Sequence, residues 1–211
     1  MPRQIYLFAT STHPDAISVK SLEVRFLKPS IDFTAYDYLI VTSKQTVKAL
    51  EQYNKKDFIH IPALCVSQKT AASYEAFGGK ILDVGDGYGD NLVKNIKNEP
   101  KNKKWLYLRA ELIASDFVYR CQENGYVINE KIVYVSECSS EALEVEICEN
   151  PTLIFTSPSA ITCFLKTHTI SSDANVVVIG KTTAASLPKN IKYKISQKTS
   201  IESCMQLALT F

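Results

Sequence analysis

No stretch of this chain approaches the roughly 20 consecutive apolar residues of a membrane-spanning helix, and its N-terminus has no long apolar core of the kind an export signal carries. The sequence is therefore read as neither membrane-spanning nor exported. An excess of charge of either sign is missing as well. A formal net charge of +2 is too small to argue for nucleic acid or an anionic membrane as partner, and the basic cluster Lys101, Lys103 and Lys104 sits beside a polar linker. Histidine occurs three times, at His13, His60 and His168, too scattered to suggest a metal site. The six cysteines (Cys65, Cys121, Cys138, Cys148, Cys163, Cys204) have neither CxxC nor zinc-ligand spacing. Several lie in apolar runs, where a free thiol acts as a small hydrophobe. The set is read as reduced and the protein as cytosolic.

Familiar catalytic signatures are missing too. There is no phosphate-cradling GxxxxGKS/T, no GxSxG and no HExxH. Gly85-Asp86-Gly87-Tyr88-Gly89 lacks the GxGxxG spacing, follows the third strand of its half and carries acidic residues, so it reads as a turn and helix cap.

What is present is a duplication. Tyr38-Leu-Ile-Val-Thr-Ser43 returns as Thr152-Leu-Ile-Phe-Thr-Ser157, and Val66-Ser-Gln-Lys-Thr-Ala-Ala-Ser73 returns as Ile179-Gly-Lys-Thr-Thr-Ala-Ala-Ser186. The offsets are 114 residues (Thr42 to Thr156) and 113 residues (Thr70 to Thr183), so the two motifs were copied together. Tyr107-Leu108-Arg109-Ala110 likewise echoes Tyr6-Leu7-Phe8-Ala9. Short apolar runs alternate with helix-like segments throughout, which predicts an α/β protein with parallel sheets covered by helices on both faces. Ten strand candidates in two sets of five suggest two flavodoxin-like domains, a comfortable division of 211 residues. Helices are predicted over about 43–51, 70–77, 91–97 and 115–123, over most of 136–150, and at the C-terminus, where Ile201, Met205, Leu207 and Leu209 form the apolar face.

Each repeated hydroxyl loop falls where a strand ends and a helix begins. The first helical N–H groups there have no intrahelical partner, and the helix dipole is positive. A serine or threonine can cap its own helix, or the loop can offer its N–H groups to an anion. Each such charge contact contributes roughly 0.3–1 kcal/mol when exposed and up to ~2 when partly buried. Four such loops, two per domain, could grip a polyanion without many arginines. Both alternatives stay open at this point.

Taken in order, these segments resemble the uroporphyrinogen-III synthase family. The resemblance runs through Tyr38 to Ser43, Val66 to Ala71 with Gly78-Gly79, Leu106-Tyr-Leu-Arg109, Gly125-Tyr-Val-Ile-Asn-Glu-Lys-Ile-Val-Tyr134, Leu153 to Ala160 and Ile179-Gly-Lys-Thr-Thr-Ala184, nearly the whole chain. It implies a discontinuous first domain of residues 1–30 plus 138–211 and a second of residues 31–137. Two antiparallel connecting strands near 28–35 and 131–138 would form the hinge. It implies a cofactor-free lyase that cyclises the linear tetrapyrrole hydroxymethylbilane to uroporphyrinogen III, losing water and inverting the last pyrrole ring. That substrate carries eight carboxylates, which suits the helix-terminal loops. It further implies Tyr134 as a hydrogen-bond donor to the departing hydroxyl. Binding residues would come from Thr42, Ser43, Lys44, Ser67, Lys69, Thr70 and Arg109, and from Ser157, Ser159, Ala160, Gly180, Lys181, Thr182 and Thr183. The chain departs from the family at Thr10-Ser11, where many members carry arginine, and at Ser67, where glycine is usual. The expected enzyme is a cytoplasmic monomer acting on a small molecule, with no metal, nucleic-acid or membrane partner. A two-lobed binder of an anionic small molecule is the alternative.

Overall fold

The computed structural model describes residues 3–211. The chain divides into two compact units. Unit 1 combines the residues up to Glu23 with Glu137–Phe211, and unit 2 is Val24–Ser136. In chain order the strands are β1 (Ile5–Ala9), β2 (Ile17–Lys20), β3 (Leu22–Phe26), β4 (Tyr38–Val41), β5 (Ala63–Cys65), β6 (Ile81–Val84), β7 (Lys104–Ala110), β8 (Val127–Cys138), β9 (Thr152–Phe155), β10 (Asn175–Val178) and β11 (Lys194–Ile195). The helices are α1 (Lys44–Leu50), α2 (Gln68–Ala76), α3 (Leu92–Lys97), α4 (Phe117–Glu123), α5 (Ser140–Glu144), α6 (Pro158–Phe164), α7 (Lys181–Ala184) and α8 (Ile201–Ala208).

The sheet of unit 1 runs β2-β1-β9-β10-β11, with every pair parallel. Counted by the unit's own strands this is the flavodoxin order 2-1-3-4-5. The sheet of unit 2 runs β6-β5-β4-β7-β8-β3. Its strands β4 to β8 are parallel, and their own count is 3-2-1-4-5. The two orders describe one spatial arrangement. Laying β4 on β9, β5 on β10, β6 on β11, β7 on β1 and β8 on β2 superposes the repeated motifs. The copies differ in where the chain enters, so unit 1 is a permuted version of unit 2.

Strand alternation explains the layers. In unit 1, Leu7, Ile154 and Val177 face Cys204, Met205 and Ala208 of α8, while Phe8, Leu153 and Phe155 face Ala160, Ile161 and Phe164 of α6. In unit 2, Leu39, Val41 and Leu106 pack on Val47, Leu50 and Tyr74 of α1 and α2. Ile40, Leu64 and Trp105 pack on Leu92, Ile96 and Phe117 of α3 and α4. A residue buried on either face of such a sheet must be apolar, which is why the strands read as continuous apolar runs. Each fully buried Leu, Ile or Phe contributes about 1.5–3 kcal/mol, so these faces outweigh the rim ion pairs.

The helix ends follow their local signals. Gly78 adopts φ +101°, Gly79 N–H bonds the Tyr74 carbonyl and Gly78 N–H that of Glu75, the double bond of a Schellman close to α2. A Cβ on Gly79 would come within 2.2 Å of the buried Tyr74 ring, so the second glycine is required by packing. The Gly85–Gly89 stretch is a turn: Gly87 has φ +101°, and Asp86 accepts from Tyr88 N–H and the Asn91 amide.

Several expectations need correction. The strand expected near 28–35 lies earlier, as β3, antiparallel to β8: Leu27 N–H bonds Val133 O, and Ser139 N–H bonds Ser21 O. Residues Phe33–Ala35 form a 3-10 turn instead, because the Asp32 side chain caps it through Thr34 N–H. The acidic 136–150 segment is not mostly helical. β8 runs on to Cys138 and only Ser140–Glu144 is helical, after which Val145 turns extended and joins Ile147 and Cys148 against the core. The strand β2 was not anticipated, and its link to β1 contains no helix. In α8 the buried residues are Cys204, Met205 and Ala208, whereas Leu209 is 69% exposed beyond the helix end. The cysteines are not all reduced: Cys138 at the end of β8 is disulfide-bonded to Cys163 of α6. The other four are free thiols, and burial pushes Cys65 up to about 12 and Cys121 up to about 11, which leaves them inert.

Candidate active site

Right-handed crossovers bring the strand-to-helix loops of each sheet to its carboxyl edge, and ligands in such sheets bind where the strand order reverses. In unit 2 that point lies between β4 and β7, beside Thr42, Ser43, Arg109 and Ala110. In unit 1 it lies between β9 and β1, beside Thr156 and Ser157. The threonines tie their own strands across this point. Thr42 Oγ1 is 3.1 Å from Tyr107 Oη, and Thr156 Oγ1 donates to Phe8 O at 3.0 Å.

Three of the four repeated loops use the serine hydroxyl as a cap. Ser43 accepts from Gln45 N–H, Ser67 from Thr70 N–H and Ser157 from Ala160 N–H. Capping takes lone pairs but leaves the hydroxyl proton. In two loops a neighbouring hydroxyl is also in reach: Ser67 Oγ is 3.2 Å from Thr70 Oγ1, and Ser157 Oγ is 3.0 Å from Ser159 Oγ. The fourth loop has Gly180 at the cap position, so no side chain satisfies its helix start. Lys44, Lys69 and Lys181 stand exposed in the first turns of α1, α2 and α7, with no ion-pair partner among the described residues. Thr182 is exposed and Thr183 buried. Ala160 has a buried methyl group and its N–H is already donated to Ser157, so it has nothing to offer a ligand.

Unit 2 brings Thr42, Ser43, Lys44, Ser67, Lys69, Thr70, Arg109 and Tyr134 to one sheet edge, and unit 1 brings Ser157, Ser159 and Gly180 to Thr183 to its own. Tyr134 is 8% exposed and packs in the core cluster of Leu108 and Val133. Its hydroxyl is not sealed from solvent, and it makes no hydrogen bond among the described residues. Tyr107 is a neighbour that sequence reasoning passed over. Burial pushes its phenol above the ordinary value, against the hydrogen bond from Thr42, and the nearby Tyr134 adds to the rise. The Tyr107 echo of Tyr6 signalled duplication only, since Tyr6 Oη instead bonds Gln4 and Cys148 N–H. Arg109 is committed to its own chain. Its Nη1 donates to the carbonyls of Ala110 and Glu111, and its Nε lies 3.2 Å from Glu130 Oε1 without pointing its N–H at that oxygen. A cavity of about 450 Å3 lined by Arg3, Asp173, Lys192 and Lys194 lies at the opposite, amino edge of the unit 1 sheet.

The profile of the family described as Uroporphyrinogen-III synthase HemD matches residues 15–206. The chain belongs to the uroporphyrinogen-III synthase family. Among solved structures, the uroporphyrinogen-III synthetase of Helicobacter pylori 26695 is similar at 27% identity and a TM-score of 0.72, covering 99% of both chains. A mutant uroporphyrinogen III synthase from the extremely thermophilic bacterium Thermus thermophilus is similar at 12% identity and a TM-score of 0.50, again over 99% of both chains, and shares the fold. No curated protein sequence matches the chain. The chain is accordingly a lyase of the uroporphyrinogen-III synthase type, with the two-domain α/β fold of that family and a role in porphyrin and heme biosynthesis.

Proposed function

We propose that this uroporphyrinogen-III synthase closes hydroxymethylbilane with Tyr134 as the hydrogen-bond donor to the departing hydroxyl. The observation that carries this reading is the unpartnered Tyr134 phenol at the carboxyl edge of β7 and β8, beside the switch point of the sheet. A phenolic O–H can donate a hydrogen bond to the oxygen as the hydroxyl leaves. The pyrrole nitrogens push electrons towards the carbon that loses oxygen, so strong acid catalysis is not required. The more demanding task is to hold the substituted carbon of the last ring against that centre, giving a spiro intermediate and then the inverted ring. This is catalysis by positioning and by fixed dipoles.

Carboxylate binding is assigned to Thr42, Ser43, Lys44, Ser67, Lys69 and Thr70, and to Ser157, Ser159, Gly180, Lys181, Thr182 and Thr183. Serine hydroxyl protons, the uncapped start of α7 and three exposed lysines support it. In the same reading the enzyme is a cytoplasmic monomer with a small-molecule substrate and no nucleic-acid or membrane partner. Among the described residues no helix is long and apolar enough to cross a membrane.

The test supplies enzymatically generated hydroxymethylbilane and resolves the porphyrin isomers after oxidation. Isomer III is the expected product. Recovery of isomer I alone, the spontaneous product, would overturn this reading.

A further inference from the structure

The ladder between β7 and β8 pairs one to one from Lys104 with Val127 up to Arg109 with Ile132, and then slips. Ala110 pairs with Tyr134, and Val133 is skipped. A slip of one residue exchanges the faces on which successive side chains emerge, and a bulge beside a site re-aims a side chain in this way. Here the slip leaves the consecutive residues Val133 and Tyr134 in the same core cluster.

One guanidinium spans the irregularity. Arg109 Nη1 donates to Ala110 O and Glu111 O, both at 2.8 Å, and the Glu130 carboxylate lies 3.2 Å from Nε. Glu111 N–H in turn donates to Tyr134 O at 3.0 Å. Arg109 thus bonds the Ala110–Glu111 peptide, whose N–H holds the Tyr134 carbonyl. A rigid fork with five donors can hold two carbonyls and face a carboxylate at once, whereas a lysine is a single point of charge.

The duplicated sheet acts as an internal control. At the equivalent place β1 has Phe8 where β7 has Arg109, and the β1–β2 register runs unbroken from Tyr6 with Ile17 to Ala9 with Lys20. The copy without the arginine has no bulge. We propose that Arg109, anchored by Glu130, is a positioning residue that sets the β7–β8 bulge and thereby aims Tyr134, and that it does not bind a substrate carboxylate. This rests on the reading of Tyr134 as hydrogen-bond donor to the departing hydroxyl.

The experiment compares Arg109→Gln, Arg109→Lys, Glu130→Gln, Tyr134→Phe and the double variant Arg109→Gln/Tyr134→Phe. For each, kcat and KM are measured for isomer III formation from enzymatically generated hydroxymethylbilane, alongside circular dichroism. Arg109→Gln is expected to lower kcat on the order of tenfold or more with KM nearly unchanged, and lysine should not rescue it. Glu130→Gln should lose less, in the same parameter, and it carries the comparison if Arg109→Gln does not fold. The double variant should be no slower than Tyr134→Phe alone. A raised KM at constant kcat would make Arg109 a substrate contact and overturn the proposal, as would losses that multiply fully in the double variant. Unchanged kcat in Tyr134→Phe would sink the hydrogen-bond-donor reading itself. A loss in Tyr134→Phe with none in Arg109→Gln would sink the positioning role alone.

Discussion

Cys138 and Cys163 show how little a single residue reveals about its partner. Both sit in apolar surroundings and neither belongs to a spaced motif, so sequence reasoning grouped them with Cys65 and Cys121. Only the fold brings the end of β8 within a Cα–Cα distance of 5.3 Å of α6. A bridge across 25 residues restricts the unfolded chain by about 3.5 kcal/mol on the chain-entropy account. Thiol titration of the unfolded protein without reductant is therefore expected to find four reactive groups. Six would show that the pair is reduced. With reductant, all six should react and the thermal midpoint should fall. Tyr134 is named from the sequence for a different reason, since it lies in a family segment. Tyr107 is not, because its hydrogen bond with Thr42 forms only across the β4–β7 pair.

At the scale of elements, the strands and most helices were legible because their signals are local. Ser43, Ser67, Ser157 and Ser200 each cap the helix that their sequence position announces. The 136–150 segment was misread because its acidic, alternating composition suits either a surface helix or an extended edge. Packing of Val145 and Ile147 against the unit 1 core decided for the latter. One side chain also registers β4 against β7. Asp37, just before β4, accepts from Lys104 N–H at 2.8 Å and pairs with Lys103 at 2.9 Å. The Lys104 N–H, then the Lys103 ammonium, hold its carboxyl below the usual aspartate range. A depressed native pKa contributes stability that is fully present above the ordinary value of 3.8 and is lost as pH falls through the native one. In urea unfolding, Asp37→Asn should thus be less stable than the parent at pH 7, and the difference should close as the pH drops below about 4. A gap that persists unchanged at pH 2 would show that Asp37 acts by geometry alone.

For the whole molecule, the duplication says that two similar sheets exist, and the permutation says how each is completed. Unit 2 is contiguous and the six strands of its sheet lie between Leu22 and Cys138, two residues beyond the unit at each end, whereas unit 1 is assembled from both ends of the chain. A fragment spanning 22–138 is therefore expected to fold alone, with a cooperative thermal transition and dispersed amide resonances. A spectrum of random coil would mean that unit 2 depends on the rest of the chain. The sequence by itself determined the α/β class, the repeat, the helix caps and the family, because alternation, capping and motif order are written in neighbouring residues. The tertiary structure alone decided the sheet orders, the Cys138–Cys163 bridge, the bulge at Arg109 and the commitment of Arg109 to Glu130 and the Ala110 and Glu111 carbonyls. Those depend on register between strands distant in sequence, where a shift of one residue turns a side chain to the other face and leaves the sequence pattern unchanged.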